Sequence, residues 1–232
     1  MDYGYVYENY NALKEEIADL GARAGREVTL VCVTKSGSDE EVLALADAGM
    51  TDLGENRPQS LCQRGELLRG AGYEPRMHEI GNLQRNKVKY IAESVALVHS
   101  LDSIELAAEI NRQAERHGRR IPVLIEINSG REEAKGGIMP EAAEDFFLEV
   151  RKFGGLAVSG LMTMGPALDD AEQMRPYFRL TKEIFEKIKN TYGFEGDGIL
   201  SMGMSDSYAV AIEEGATLVR VGRKLFYKGK GE

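Results

Sequence analysis

Apolar positions along the chain fall into two alternating rhythms. From Asn9 to Arg23, Leu13, Ile17 and Leu20 recur at helical spacing, and Gly21 and Gly25 close the segment. The run from Val28 to Thr34 is continuous, largely β-branched, and stops at Lys35, as a strand buried on both faces does. Ser38 and Glu41 form a capping-box pattern before a helix carried by Val42, Leu45 and Ala46 and ended by Gly49. The unit then repeats. Strand patterns at 51–54, 76–80, 96–100, 121–127, 158–164, from Ile199, and at 218–221 alternate with helical ones at 58–69, 83–92, 102–117, 140–152, up to Tyr192, and 206–214. Asp102 with Glu105 reads as a second capping box, and Pro140 sits where a helix begins. Asp169, Asp170 and Glu172 form a negative set suited to a helix N-terminus.

Eight strand–helix units behind an extra N-terminal helix predict a parallel sheet. Their number, in 232 residues without a Pro-rich or Ser/Gly-rich linker, predicts one (β/α)8 TIM barrel domain over residues 1–232, with a doubly wound open sheet as the alternative.

Composition narrows the function. A net charge of −9 argues against a nucleic-acid binder that works by broad electrostatics. Cys32 and Cys62 lie in a strand and a helix pattern without spacing for a disulfide or a metal. The first residues lack a signal-peptide core, and no apolar run approaches the ~20 residues of a membrane span. The expectation is a soluble, cytoplasmic protein with no nucleic-acid or membrane partner.

In a barrel the chemistry lies at the strand C-termini. Those ends bring Lys35, Asn56, His78, Gly81, Asn128, Lys135, Met164, Ser201, Ser205, Arg220 and Gly222. Lys35 is either a solvated loop lysine or a semi-buried amine able to act as a nucleophile on a carbonyl. Ser205-Asp206-Ser207 either only caps a helix or, with the turn at Gly222, offers free N–H groups to an anion. Arg220, inside an apolar strand, needs a partner: a structural ion pair with Glu126 or Glu55, or a ligand. A lysine, a phosphate cup and a buried arginine together suggest pyridoxal phosphate, with the arginine against an unprotonated ring nitrogen. His78 reads as a satisfied barrel residue or as a cofactor contact. The basic run Arg85–Lys89 reads as a solvated face or a dock for an anionic partner.

Several strings of residues resemble one family. They are Val33-Thr34-Lys35, Gly54-Glu55-Asn56, His78 through Lys87, Ile127 through Gly137, Gly160-Leu161-Met162, Leu200 through Asp206, and Val219 through Gly222. Across nearly its whole length the chain resembles the pyridoxal phosphate homeostasis proteins, relatives of the alanine racemase N-terminal barrel. The resemblance implies that barrel (the type III pyridoxal phosphate fold) as a monomer, with pyridoxal 5'-phosphate covalently on Lys35 as an internal aldimine. It places Asn56 near the ring, Ser201 close by, Ser205, Gly222 and position 223 at the phosphate, and Arg220 at the ring nitrogen. It implies a carrier or regulator of vitamin B6 and amino-acid pools, without established turnover, that delivers cofactor to apo-enzymes.

The sequence departs from the family pattern at Arg223, where a Thr or Ser is usual, at Phe226-Tyr227 in place of Phe-Gly, and at Ser36-Gly37 in place of Thr-Lys. It ends ten residues after Gly222, so the β-domain that gives alanine racemase its tyrosine is not expected. A racemase or lyase of low activity is the alternative function. A barrel that has lost its cofactor through Arg223 and serves only as an interaction module is the third.

Overall fold

The computed structural model describes residues 3–132, 134–168 and 170–229. Its strands are β1 (Thr29–Val33), β2 (Asp52–Glu55), β3 (Arg76–Glu79), β4 (Leu97–Leu101), β5 (Ile121–Glu126), β6 (Leu156–Met162), β7 (Ile199–Ser201) and β8 (Leu218–Val221). All neighbours pair in parallel, and β8 pairs with β1 from Thr29↔Leu218 to Cys32↔Val221, which closes the barrel. The open sheet is thereby excluded. The helices are α1 (Gly4–Arg23), α2 (Asp39–Asp47), α3 (Pro58–Gly70), α4 (Val88–Ile91), α5 (Ile104–Arg116), α6 (Ala143–Val150), α7 (Arg175–Tyr192) and α8 (Tyr208–Glu213).

Strand side chains alternate between two cores. Leu53, Met77, Val98, Ile125, Leu200 and Val219 face outward and pack in the large layer shared with the helices. Val31, Leu97, Leu124, Met162 and Leu218 form a separate small cluster inside the barrel. The same period of two puts Asp52, His78, His99, Glu126, Ser201 and Arg220 on the interior face. The barrel is therefore half apolar and half polar inside.

Local signals held where side chains complete them. Ser38 Oγ accepts from Glu41 N at 3.2 Å while Glu41 accepts from Ser38 N at 2.7 Å, so this capping box is present in full. The one expected at Asp102 is not formed. Ser103 is the N-cap of α5 and makes no side-chain cap bond; its hydroxyl turns to Asp102 at 3.3 Å instead. The helix expected over 83–92 shrinks to a 3-10 turn (Arg85–Lys87) and the single turn α4, because Leu83 is buried ahead of it in non-helical chain. Pro140 opens a 3-10 turn that runs into α6. Asp170 accepts from Glu172 N at 3.0 Å, whereas Asp169 lies outside the described residues.

Two features at the strand C-termini carry measurable consequences. Glu79 faces outward with no exposure; its Oε1 accepts from Gly81 N at 3.1 Å and its Oε2 has no partner among the described residues. Burial, then the neighbouring Glu55 across the β2–β3 register, push its carboxyl up to about 8. A folded value above the unfolded one gives stability that is complete below the ordinary carboxylate range and lost as pH rises through about 8. Glu79→Gln should therefore match the wild type to within about 1 kcal/mol at about pH 5 and exceed it by roughly a few kcal/mol at about pH 9, read by urea denaturation.

Gly81 sits where a Cβ would come within 2.2 Å of Asn56 O, a backbone atom. Gly81→Ala must push the tails of β2 and β3 apart. It should cost about 1–3 kcal/mol, seen as a lower melting temperature by calorimetry.

Candidate functional site

The C-terminal ends of β1, β2, β7 and β8 bring the expected residues to one face of the barrel. Lys35 lies two residues beyond β1. It is exposed and makes no hydrogen bond or ion pair with any described residue. Of the two readings left open for Lys35 the structure shows the solvent-facing one: β1 stops at Val33, and Thr34, on the outward face, donates to Glu55 at 2.6 Å. Lys35 and the exposed Asn56 border a cavity of about 650 Å³ together with Arg57 and Arg64.

Next to β1 lie the tails of β7 and β8. Gly222 N donates to Ser205 Oγ at 3.4 Å and ties the two turns together. A Cβ at Gly222 would stand 2.9 Å from Val33 O, so only glycine lets this turn lie against the end of β1. Ser205-Asp206-Ser207 does not cap by side chain. Helix α8 begins only at Tyr208, and Ser207 Oγ accepts from Met204 N instead. The N–H groups of Ser205, Asp206, Arg223 and Lys224 find no acceptor among the described residues. Arg223, 75% exposed, pairs with Asp206 from the neighbouring turn. These turns border a second cavity of about 450 Å³ with Asn9, Leu13 and Tyr227. Arg220 borders neither cavity.

Arg220 is 3% exposed in the barrel interior. The ion pair expected with Glu126 or Glu55 is not formed. Glu55 faces outward and is taken by Thr34 and, at 3.8 Å, by Arg64. Arg220 Nη1 donates to Ser201 Oγ, and Nη2 donates to Thr163 O at 3.0 Å. Two of five N–H donors are thus satisfied. Burial lowers the guanidinium to about 10, with Glu126 opposing, so it stays charged at neutral pH. Glu126 is pushed up to about 7 by burial and by Asp102, against the pull of Arg220.

His78 is a satisfied barrel residue, bonded to His99 at 3.0 Å and to Asp52 at 2.9 Å. The partners His99, Thr163 and Asp52 escaped the sequence reading. His99 stands two residues after Leu97 in a buried strand pattern, and that parity was the available signal. Asn128 holds its own loop, through Glu132 N at 3.1 Å and Glu132 O at 2.9 Å. Lys135 pairs with Glu132 at 2.6 Å, and Met164 is exposed. The run at Arg85–Lys89 is mostly solvated, with Lys87 and Lys89 over the Tyr90 ring at 5.7 and 5.0 Å. Among the described residues no His/Cys/Asp/Glu group could hold a metal, both cysteines are free, and no helix is long and apolar enough to cross a membrane.

The family described as "Alanine racemase, N-terminal domain" matches residues 9–228. The pyridoxal phosphate homeostasis protein of Aquifex aeolicus is 39% identical over 226 residues, covering 96% of this chain and 98% of its own. A crystal structure of an unknown protein from Bifidobacterium adolescentis is similar at a TM-score of 0.88 and 33% identity, over 97% of both chains. The structure of PipY from Synechococcus elongatus with PLP bound shares the fold at a TM-score of 0.82 and 24% identity, over 96% of this chain and all of that one. The chain therefore belongs to the pyridoxal phosphate homeostasis protein family, whose barrel is that of the alanine racemase N-terminal domain.

Proposed function

We propose that this chain binds pyridoxal 5'-phosphate at the C-terminal mouth of the barrel and serves the homeostasis of that cofactor and of amino acids, rather than turning over a substrate. The observation that carries the reading is the donor set. A buried, charged guanidinium with three unmet N–H groups stands on the same strand as a turn that, with its neighbour, leaves four N–H groups free. Such a set fits a ring nitrogen and a phosphate: one lone pair for Arg220, and several acceptor oxygens for the turns.

In this reading Ser205, Gly222 and the backbone at Arg223 hold the phosphate, Arg220 donates to the ring nitrogen and keeps it unprotonated, and Asn56 and Ser201 flank the ring. The amine of Lys35 holds the cofactor covalently. When bound, pyridoxal phosphate supplies an aldehyde that condenses reversibly with amines and a ring that withdraws electrons. Arg220 weakens that withdrawal, because a nitrogen facing a permanent cation does not take up a proton. The site is therefore better suited to holding the cofactor than to stabilising a carbanion. The exposed Lys35 leaves the linkage within reach of an incoming amine, as delivery to apo-enzymes requires. The names of the curated relatives point the same way. We read the chain as a one-domain monomer working in the cytoplasm.

Incubation with pyridoxal phosphate should give a visible absorption band that borohydride reduction removes and that Lys35→Ala lacks. No band in the wild type would overturn the reading. With the band present, α-proton exchange of alanine in deuterated water should stay far below enzyme-like turnover; rapid exchange would favour a racemase instead. Because the Arg223 guanidinium is engaged with Asp206 at the surface, Arg223→Ala should change cofactor affinity by less than about fivefold, measured by fluorescence titration.

A further inference from the structure

A hydrogen-bonded chain crosses the barrel interior from β8 to β2. Beyond the Arg220–Ser201 bond, Ser201 Oγ lies 3.0 Å from His99 Nδ1, His99 Nε2 lies 3.0 Å from His78 Nδ1, and His78 Nε2 lies 2.9 Å from Asp52 Oδ1. Asp52 Oδ2 accepts from Thr51 at 2.8 Å and from the exposed Arg76 at 2.7 Å. From Arg220 to Asp52 every member is buried, none above 3% exposed. The line joins a buried cation near the mouth to a carboxylate at the start of β2.

The donor inventory gives this line a direction. A guanidinium can only donate, so Ser201 Oγ accepts from Arg220 and passes its own proton to His99 Nδ1. His99 then carries its hydrogen on Nε2 and donates to His78 Nδ1, and His78 Nε2–H donates to the carboxylate. The reverse assignment leaves the Ser201 hydrogen without an acceptor among the described residues and requires a second proton on His78. Burial, then His78 and Arg220, hold His99 well below the ordinary histidine range, in keeping with a neutral ring. Burial raises the Asp52 carboxyl, but hydrogen bonds from His78, Arg76 and Thr51 outweigh it and keep that end ionised.

We propose that Asp52, His78 and His99 are positioning residues: a one-way donor chain, both imidazoles neutral and protonated on Nε2, that fixes Ser201 Oγ as an acceptor and so locks the guanidinium of Arg220 in the plane that meets the cofactor ring. The chain itself stands on the protein's own contacts; its effect on the ring rests on the cofactor reading above. Branched apolar side chains usually fill a barrel interior, and they would pack these positions without any polar desolvation. They would also leave the Ser201 hydroxyl free to rotate and Arg220 with one bond of uncertain direction.

The chain has three histidines, and His117 at the end of α5 is exposed, which sets its signals apart from those of the two buried rings. Nitrogen-15 histidine spectra of the cofactor-free protein should show His78 and His99 as Nε2–H tautomers with slowly exchanging low-field protons. An Nδ1–H tautomer at His99 or at His78 would overturn the one-way chain. His99→Phe, checked for folding by circular dichroism, should bind pyridoxal phosphate roughly tenfold more weakly with a shifted absorption maximum, and His99→Gln should recover part of both. Unchanged affinity and spectrum in His99→Phe would overturn the positioning role. If His99→Phe does not fold, Asp52→Asn is read by the same two measurements. A wild type that binds no cofactor would sink the proposed function and the effect on the ring, while the tautomer result would still decide the chain.

Discussion

A positive charge in the middle of a barrel is the constraint to which the rest of the interior answers. An unpaired buried ion costs several kcal/mol, and Arg220 cannot shed its proton at neutral pH to escape that cost. Its relief comes from a hydroxyl, a main-chain carbonyl and the field of Glu126, not from a contact ion pair. That choice leaves the guanidinium charged and its donors partly unspent. A direct carboxylate partner would have satisfied it and removed it from use.

The turns around Arg220 follow the same economy. Gly222 lies against Val33 O, and Gly203, at φ +92, approaches Ala211 and Tyr208 too closely for any side chain. These contacts hold the tails of β7 and β8 in place without consuming the N–H groups of residues 205, 206, 223 and 224. Ser205 Oγ spends itself only on Gly222 N, and at a long 3.4 Å. The fold is close-packed where backbone meets backbone and leaves those N–H groups without an acceptor among the described residues.

The barrel was legible because period and punctuation agree over eight units. Each strand was found, and the closure between β1 and β8 is what the count predicts. Helix ends were less legible: Asp102 and Glu105 have the right residues, yet Ser103 takes the cap position. At the site, Arg220, Ser201, Ser205 and Gly222 stand together as expected. Arg220's partners were hidden because strand parity, which a continuous apolar run conceals, decides which polar residue faces inward. Glu55 faces out and His99 faces in, and only their parity with neighbouring strand residues distinguishes them. For Lys35 the two readings left open are decided by the strand end: β1 stops at Val33, one residue short of the apolar run, and the lysine is exposed.

That exposure separates two uses of one barrel. A catalyst must keep its lysine dry and poised, with a partner acid opposite, so that a proton can be taken from one defined face. A carrier must hold its cargo by groups that do not let go readily and present the reactive end where another amine can reach it. On the proposed reading the buried half would be Arg220 with its polar chain, and the accessible half Lys35 beside a cavity of about 650 Å³. Tightening the first half and wetting the second raises retention without raising reactivity. This is the balance that the proposed carrier role would ask for.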